Sequence, residues 1–263
     1  MVGSGEEIVR MEVSQLLAAL EDAFLRIGSE NAPLGDKLKY IADEVRRLSP
    51  VFAGAVDNFV NRLEQVAAGS LAPRIGEKMP SFLLPDEQGR LVSLDALLRA
   101  GPVAIAFIRG HWCPYCRLNA AGLAQIEDAM KPVQLVAISA ETRKYTREIK
   151  REAKARFPFL SDVDNGYALA LNLAIWVPDD MSSLIAAAGW DVPCYQGGSA
   201  WILPVPSVFL LDREGVVRFR HVDPDYRRRL EPSALIAAAA DMASSSAKCA
   251  TLSENHGPVG AAQ

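Results

Sequence analysis

The 263-residue chain has few cysteines and no long hydrophobic run. Its four cysteines, Cys113, Cys116, Cys194 and Cys249, are too few and too unevenly spaced to form a disulfide framework in a chain of this length. The apolar stretch at 103–108 is far shorter than the roughly 18 residues that a membrane span requires. The sequence therefore excludes a secreted domain stabilised by several disulfide bonds and predicts no contact with a membrane.

The chain also lacks an excess of positive charge. Its formal net charge is −4, with 23% charged and 50% hydrophobic residues, which is an ordinary globular balance and gives no reason to expect a nucleic-acid partner. The acidic start, M-V-G-S-G-E-E-I-V-R, lacks the apolar core and cleavage site of a secretory signal. We therefore expect a cytoplasmic protein, in a compartment where thiols are kept reduced.

A metal site is not expected. A structural zinc site needs four ligands, usually arranged as two close pairs. Cys194 and Cys249 are isolated, and His111, His221 and His256 form no second pair. The sequence therefore predicts neither a metal nor another cofactor.

One pair of cysteines stands out, in the stretch R-G-H-W-C-P-Y-C at 109–116. The apolar run before it is typical of a central strand, and Pro114 suits the first turn of a helix. Cys113 is then placed at the helix entrance, where unpaired N–H groups and the helix dipole lower a thiol pKa, while Cys116 faces inward. The pattern favours a redox dithiol over two packing thiols.

The rest of the chain predicts an α/β fold with an N-terminal helical extension. Amphipathic helices are expected within 6–68, followed by a linker. Around the dithiol, the order is strand, helix, strand, helix, hairpin and a last helix near 232–242, which is the order of the thioredoxin fold. The predicted division is an N-terminal helical extension at 1–70, a thioredoxin-like domain at 71–242 and a disordered tail at 243–263.

Several segments of residues 74–242 resemble the alkyl hydroperoxide reductase/thiol-specific antioxidant (AhpC/TSA) family, in its peroxiredoxin-like branch. The dithiol stretch is the most specific of these segments; the others lie at 75–85, 86–94, 158–162, 203–212 and 225–232. The resemblance implies that a thiolate attacks the O–O bond of a hydroperoxide and becomes a sulfenic acid. Another thiol then resolves it, and an external thiol donor such as thioredoxin restores the enzyme.

The sequence departs from the family pattern P-x-x-x-T-x-x-C. If the family cysteine is aligned with Cys116, Cys113 takes the place of the threonine and Arg109 that of the proline. Pro206 occupies the position at which the family has its distal arginine. The hydroxyl and guanidinium that would orient the peroxide are thus expected to be missing, and a Cys-x-x-Cys with a proline before a strand resembles thioredoxin instead.

Four residues are candidate supporting groups. Trp112 resembles the tryptophan that shields thioredoxin dithiols, although core packing would also explain it. His111 could stabilise a thiolate or simply lie in an exposed loop, and Arg109 could add positive potential or pair with an acidic neighbour. The resemblance to thioredoxin implies a cis peptide bond before Pro206, facing the dithiol.

Cys194 is either a further resolving thiol or a solitary cysteine.

The leading prediction of function is a thiol-dependent antioxidant oxidoreductase that reduces hydroperoxides by cycling Cys113 and Cys116 between dithiol and disulfide. A protein disulfide reductase without peroxidase activity is the alternative, and a redox-sensing or partner-binding protein is a third. The family register assigns the attack to Cys116. The helix position favours Cys113, which we therefore predict to be the accessible, low-pKa nucleophile. The oligomeric state is left open, a homo-oligomer included.

Overall fold

The structure, a computed structural model, describes residues 17–254, with side chains as far as residue 244. The start of the first predicted helix lies outside the described residues, as does the end of the predicted tail. The helices comprise 17–28 (α1), Leu34–Leu48 (α2), Pro50–Gln65 (α3), Leu94–Ala100 (α4), Pro114–Ile126 (α5), Arg143–Ala153 (α6), Gly166–Ala170 (α7), Asp179–Ala187 (α8), Val192–Gln196 (α9) and Pro232–Glu254 (α10). The strands comprise Leu83–Pro85 (β1), Leu91–Ser93 (β2), Val103–Phe107 (β3), Gln134–Ser139 (β4), Phe159–Ser161 (β5), Ala174–Trp176 (β6), Ile202–Pro204 (β7), Ser207–Leu211 (β8) and Val217–Val222 (β9).

A five-stranded mixed sheet forms the centre of the molecule, in the order β5-β4-β3-β8-β9. Strand β3 runs parallel to β4 and antiparallel to β8, with Phe107 opposite Ser207. Every residue of β3 is buried. The continuous apolar run had predicted this, because such a run is typical of a strand that is covered on both faces. The predicted hairpin is formed by β8 and β9.

Alternate residues of β3 face two separate parts of the core. Ala104 and Ala106 lie in one hydrophobic cluster with α1, α2, α3 and α5, whereas Val103, Ile105 and Phe107 lie in the other with α4 and α7. Helices therefore cover both faces of the sheet, which is the α/β layering that the sequence predicted.

The N-terminal helices pack onto the same core as the dithiol. Ser49 caps α3 by accepting a 3.3 Å hydrogen bond from the N–H of Phe52, and Pro50 is the first helical residue, as predicted. The fully buried Ile41 of α2 and Phe59 of α3 belong to the hydrophobic cluster that contains both cysteines of the pair. A domain boundary near residue 70 stays a prediction, but the two sides of it share one core.

The last helix is longer than the sequence analysis expected. It continues to Glu254, into the segment for which the sequence analysis predicted a tail from residue 243. The physical reason is that this segment keeps several alanines and contains neither glycine nor proline before Gly257, so nothing in it ends the helix. Cys249 lies where side chains are not described. Among the described helices, none is long and apolar enough to span a bilayer.

Candidate active site

The dithiol lies where β3 gives way to α5. Cys113 is the N-cap residue of α5 and Pro114 its first helical residue. The carbonyl oxygen of Cys113 accepts hydrogen bonds from the N–H groups of Cys116 (3.0 Å) and Arg117 (3.1 Å), which close the first turn. Both cysteines are free thiols and both are buried, with 1% of Cys113 and 0% of Cys116 exposed.

Several hydrogen-bond donors surround the sulfur of Cys116. The backbone N–H of Arg109 lies 3.2 Å from Sγ, and Nη2 of Arg229 lies 3.7 Å from it. The thiol of Cys113 also donates toward it. Burial alone would raise the pKa of Cys116, but Cys113 and the two arginines outweigh that effect and bring the pKa well below its usual value. Cys116 is therefore the sulfur that this site stabilises as a thiolate.

Cys113 has the opposite environment. Burial raises the pKa of its thiol, and the neighbouring Cys116 sulfur raises it further, although Arg109 and Arg229 oppose the rise. Its side chain accepts no hydrogen bond from the first turn of α5. The prediction of an accessible Cys113 with a lowered pKa is wrong, because its sulfur is covered and is not bonded to the helix N-terminus.

Two guanidinium groups beside the sulfurs have no carboxylate partner among the described residues. Arg109 is only 3% exposed, and its guanidinium carbon lies 3.9 Å from the ring centroid of Tyr226 and 4.9 Å from that of Trp112. Arg229 donates to the backbone carbonyl groups of Tyr226 and Arg228 as well as to Cys116. A buried cation is unfavourable unless an anion compensates it, and here the Cys116 thiolate can do so. Arg109 thus supplies positive potential rather than an ion pair with an acidic neighbour.

Arg229 was missed by the sequence analysis. The family pattern directed the search for an arginine to the slot of Pro206, whereas Arg229 lies 113 residues after Cys116 in the chain. The signal that could have found it is the R-R-R run in the family-like segment at 225–232. Arg227, in the same run, instead pairs with Asp57 and Asp225.

His111 contacts a buried carboxylate that the sequence analysis did not single out. Its Nδ1 lies 2.6 Å from Oε1 of Glu141, and its backbone N–H donates to Oε2 at 2.8 Å. The imidazole ring stacks on Tyr145 and meets Tyr195 edge-on. The histidine is therefore a fixed part of the site rather than an exposed loop residue.

Trp112 lies beside a small apolar cavity next to Cys113. The cavity has a volume of about 40 Å³, and its lining includes Trp112, Cys113 and Tyr226, together with Val45 of α2 and Phe52 of α3. This space is on the order of one water molecule or one small peroxide. Trp112 is 8% exposed and its ring centroid lies 5.6 Å from that of Trp190, so it packs in the core; that it shields the dithiol stays a prediction.

Pro206 does not have the predicted cis bond. The cis peptide bond in the described chain is Lys131–Pro132, so Val205–Pro206 is trans. The N–H of Val205 donates to the carbonyl of Leu173 at 2.7 Å, which holds the chain extended as it passes from β7 to β8. Pro206 is buried and directly precedes Ser207, the first residue of β8. Because Ser207 pairs with Phe107, the last residue of β3, Pro206 lies at the same end of the sheet as the 109–113 loop.

Cys194 lies on α9 and is exposed. Its neighbour Tyr195 contacts His111, so α9 borders the loop that leads to the dithiol. Within the described part of the chain no disulfide joins Cys194 to another cysteine, and no group of three or more metal-ligating side chains is present.

The mixed central sheet with helices on both faces defines a thioredoxin-like α/β fold. The AhpC/TSA family model matches residues 75–220, more than half of the chain, so the chain belongs to the AhpC/TSA family. The crystal structure of peroxidoxin BcpB from Mycobacterium tuberculosis superimposes with a TM-score of 0.51 at 17% identity and covers 64% of this chain and 97% of that one. The predictions of the family and of the thioredoxin-like fold are confirmed.

Curated relatives fall into two groups. Peroxiredoxin Q, chloroplastic, of Oryza sativa subsp. japonica is 26% identical over 146 residues, which is 55% of this chain and 57% of the relative. The thiol:disulfide interchange protein DsbE of Escherichia coli is 26% identical over 149 residues, 56% of this chain and 64% of the relative. The chain thus spans about three fifths of the length of the curated relatives it matches.

Proposed function

We propose that the protein is a thiol-dependent oxidoreductase that reduces hydroperoxides, with Cys116 as the attacking thiolate and Cys113 as the resolving thiol. The observation that carries this proposal is the convergence of donors on the Cys116 sulfur, which include the Arg109 N–H, the Arg229 guanidinium and the Cys113 thiol. A thiolate, and not a thiol, is the nucleophile in this chemistry.

In the first step the Cys116 thiolate attacks one oxygen of the hydroperoxide. An S–O bond forms, the O–O bond breaks and the leaving oxygen departs as an alkoxide or hydroxide, which takes up a proton. The sulfur is oxidised to a sulfenic acid while the peroxide is reduced to an alcohol or water. On this proposal the positive charges of Arg109 and Arg229, which already lower the pKa of Cys116, would also stabilise the negative charge that develops on the leaving oxygen, and such stabilisation accelerates the step.

In the second step Cys113 resolves the sulfenic acid. Its sulfur attacks the Cys116 sulfur, an S–S bond forms and water leaves with the proton of the Cys113 thiol. The raised pKa of Cys113 suits this order, because Cys113 stays protonated and donates toward Cys116 until the latter is oxidised. Two thiol groups of an external donor, such as the dithiol of one reduced thioredoxin molecule, then reduce the disulfide and become a disulfide themselves.

A protein disulfide reductase is the second candidate. The Cys-x-x-Cys at a helix start and the similarity to DsbE favour it. The burial of both sulfurs argues against it, because a protein disulfide must touch the attacking sulfur, whereas a small peroxide needs only a narrow path.

The test compares hydroperoxide consumption with insulin disulfide reduction, using the purified protein and the same thiol donor. We expect peroxide consumption to exceed insulin reduction. We also expect Cys116→Ser to abolish peroxide consumption. Cys113→Ser should leave a sulfenic acid on Cys116 that dimedone traps. Cys194→Ser, a substitution at an exposed cysteine, is the matched control. Insulin reduction without peroxide consumption would support the alternative, and a sulfenic acid on Cys113 alone would reverse the two roles.

A further inference from the structure

A fully buried carboxylate lies beside the redox site without a role in the steps above. Glu141, two residues after the end of β4, is 0% exposed. Both of its oxygens bind the same residue: Oε1 contacts Nδ1 of His111 at 2.6 Å, and Oε2 accepts from the His111 N–H at 2.8 Å. Because a buried carboxylate is costly unless it is paired, these two contacts fix the position of His111.

The loop at 109–113 is shaped around this carboxylate. Gly110 has φ of +148°, and a Cβ added there would lie 2.4 Å from Oε1 of Glu141, so only glycine fits. The N–H of Cys113 donates to the carbonyl of Gly110 at 3.3 Å, which closes the loop onto the helix start. At the other end of the loop, the N–H of Arg109 donates to the Cys116 sulfur.

The imidazole of His111 is also held by two aromatic rings. Tyr145 of α6 stacks on it with ring centroids 4.4 Å apart, and Tyr195 of α9 meets its edge at 4.9 Å. The ring therefore cannot turn away from Glu141 without displacing side chains from two helices. The loop is consequently anchored by Glu141 on one side and by Cys116 on the other.

We propose that Glu141 is a positioning residue of the redox site, which acts through His111 to aim the backbone N–H of Arg109 at the Cys116 sulfur. This inference rests on the proposed function, since it takes Cys116 to be the reacting thiolate. Two effects of Glu141 on Cys116 have opposite signs. Its negative charge disfavours the thiolate, whereas the N–H that it holds in place favours it.

The opposite signs allow a clean experiment. The pKa of Cys116 is read from its alkylation rate against pH with peptide mapping, and the rate of sulfenic acid formation is measured in the same variants. Glu141→Gln keeps an acceptor for the His111 N–H, so we expect a rate within about threefold of the wild type. Glu141→Ala frees the loop, so we expect the pKa of Cys116 to rise by about one unit and the rate measured at pH values below the wild-type pKa to fall about tenfold. Glu148→Gln, at an exposed position on α6, is the matched control.

A second pair of variants tests the same link where Glu141→Ala fails to fold. His111→Ala removes the contact with Oε1 and should raise the pKa of Cys116. His111→Asn, whose amide nitrogen takes the place of Nδ1, should restore it.

Equal lowering of the Cys116 pKa in Glu141→Gln and Glu141→Ala would show that only the charge matters and would overturn the proposal. Unchanged values in all variants would overturn it as well. If the wild-type Cys116 has an ordinary pKa, the proposed function fails before the variants are compared.

Discussion

Replacing Arg229 with methionine should raise the pKa of Cys116 by about 1–2 units. The Nη2 atom lies 3.7 Å from the Cys116 sulfur, and two unit charges at that distance attract by about 4.5 kcal/mol at an effective dielectric constant of ~20. One pKa unit corresponds to about 1.4 kcal/mol, so the full attraction equals roughly 3 units. Arg229 is only half-buried and its charge is spread over the guanidinium, so solvent screening reduces the expected shift.

The assay follows the first alkylation of each thiol by iodoacetamide from about pH 5 to pH 10, with peptide mapping to separate Cys113 from Cys116. Methionine keeps much of the length of the arginine side chain, so packing changes little. The matched control is Arg228→Met. Arg228 is exposed, and among the described residues its guanidinium makes long ion pairs with Glu64, Asp223 and Asp225, at 3.5–3.8 Å. We expect the control to move the pKa of Cys116 by less than about 0.3 unit.

Two outcomes would refute this reasoning. The first is a pKa of Cys116 that stays the same in Arg229→Met and in the control, since the guanidinium would then contribute nothing. The second is a Cys113 that titrates below Cys116 in the wild-type protein. In that case the helix entrance, and not the arginine pair, would decide which sulfur ionises.

Two further predictions concern pH and the shared core. Because the pKa of Cys116 is lowered, its thiolate is lost only as the pH falls through that lowered value. The rate of sulfenic acid formation should therefore change less than about twofold between pH 7 and 8.5, whereas the rate of an unperturbed thiol would rise roughly 15-fold over that range. A rise of that size in stopped-flow measurements would contradict the assignment. Ile41→Ala should lower the free energy of unfolding by roughly 2–5 kcal/mol. Denaturant unfolding, monitored by tryptophan fluorescence and by thiol exposure, should still show a single transition. Val51→Ala, at an exposed position of α3, should change the free energy of unfolding by less than about 0.5 kcal/mol, and two separate transitions for Ile41→Ala would show that the N-terminal helices form an independent unit.

Features coded by neighbouring residues were predictable from the sequence. The apolar run at 103–107 became the central strand, Ser49-Pro50 began a helix, and Pro114 opened α5 directly after Cys113. Each signal acts within a few residues, through burial on both faces of a strand or through the capping and backbone preferences of a helix start. The same locality explains why the dithiol was placed correctly at the junction of a strand and a helix.

Groups that reach the site from distant parts of the chain were not predictable in this way. Arg229 arrives from the segment before α10, and Glu141 from the end of β4. The burial of Cys113 depends on α2 and α3, whose apolar faces were recognised but whose packing partner no local pattern identifies. A sequence shows that a helix has an apolar face, but only the tertiary fold determines which surface that face covers.

The helix dipole did not decide which sulfur of the pair is stabilised as a thiolate. A helix N-terminus carries about half a positive charge, and Cys113 lies directly on it, yet its sulfur receives no hydrogen bond from the first turn. The Cys116 sulfur instead meets a backbone N–H at 3.2 Å and a full guanidinium charge at 3.7 Å. A direct bond and a full charge outweigh half a charge, even for a fully buried sulfur. On the proposed assignment the second cysteine of this Cys-x-x-Cys attacks, and the first occupies the place of the family's threonine, with a thiol that first donates a hydrogen bond and then closes the disulfide.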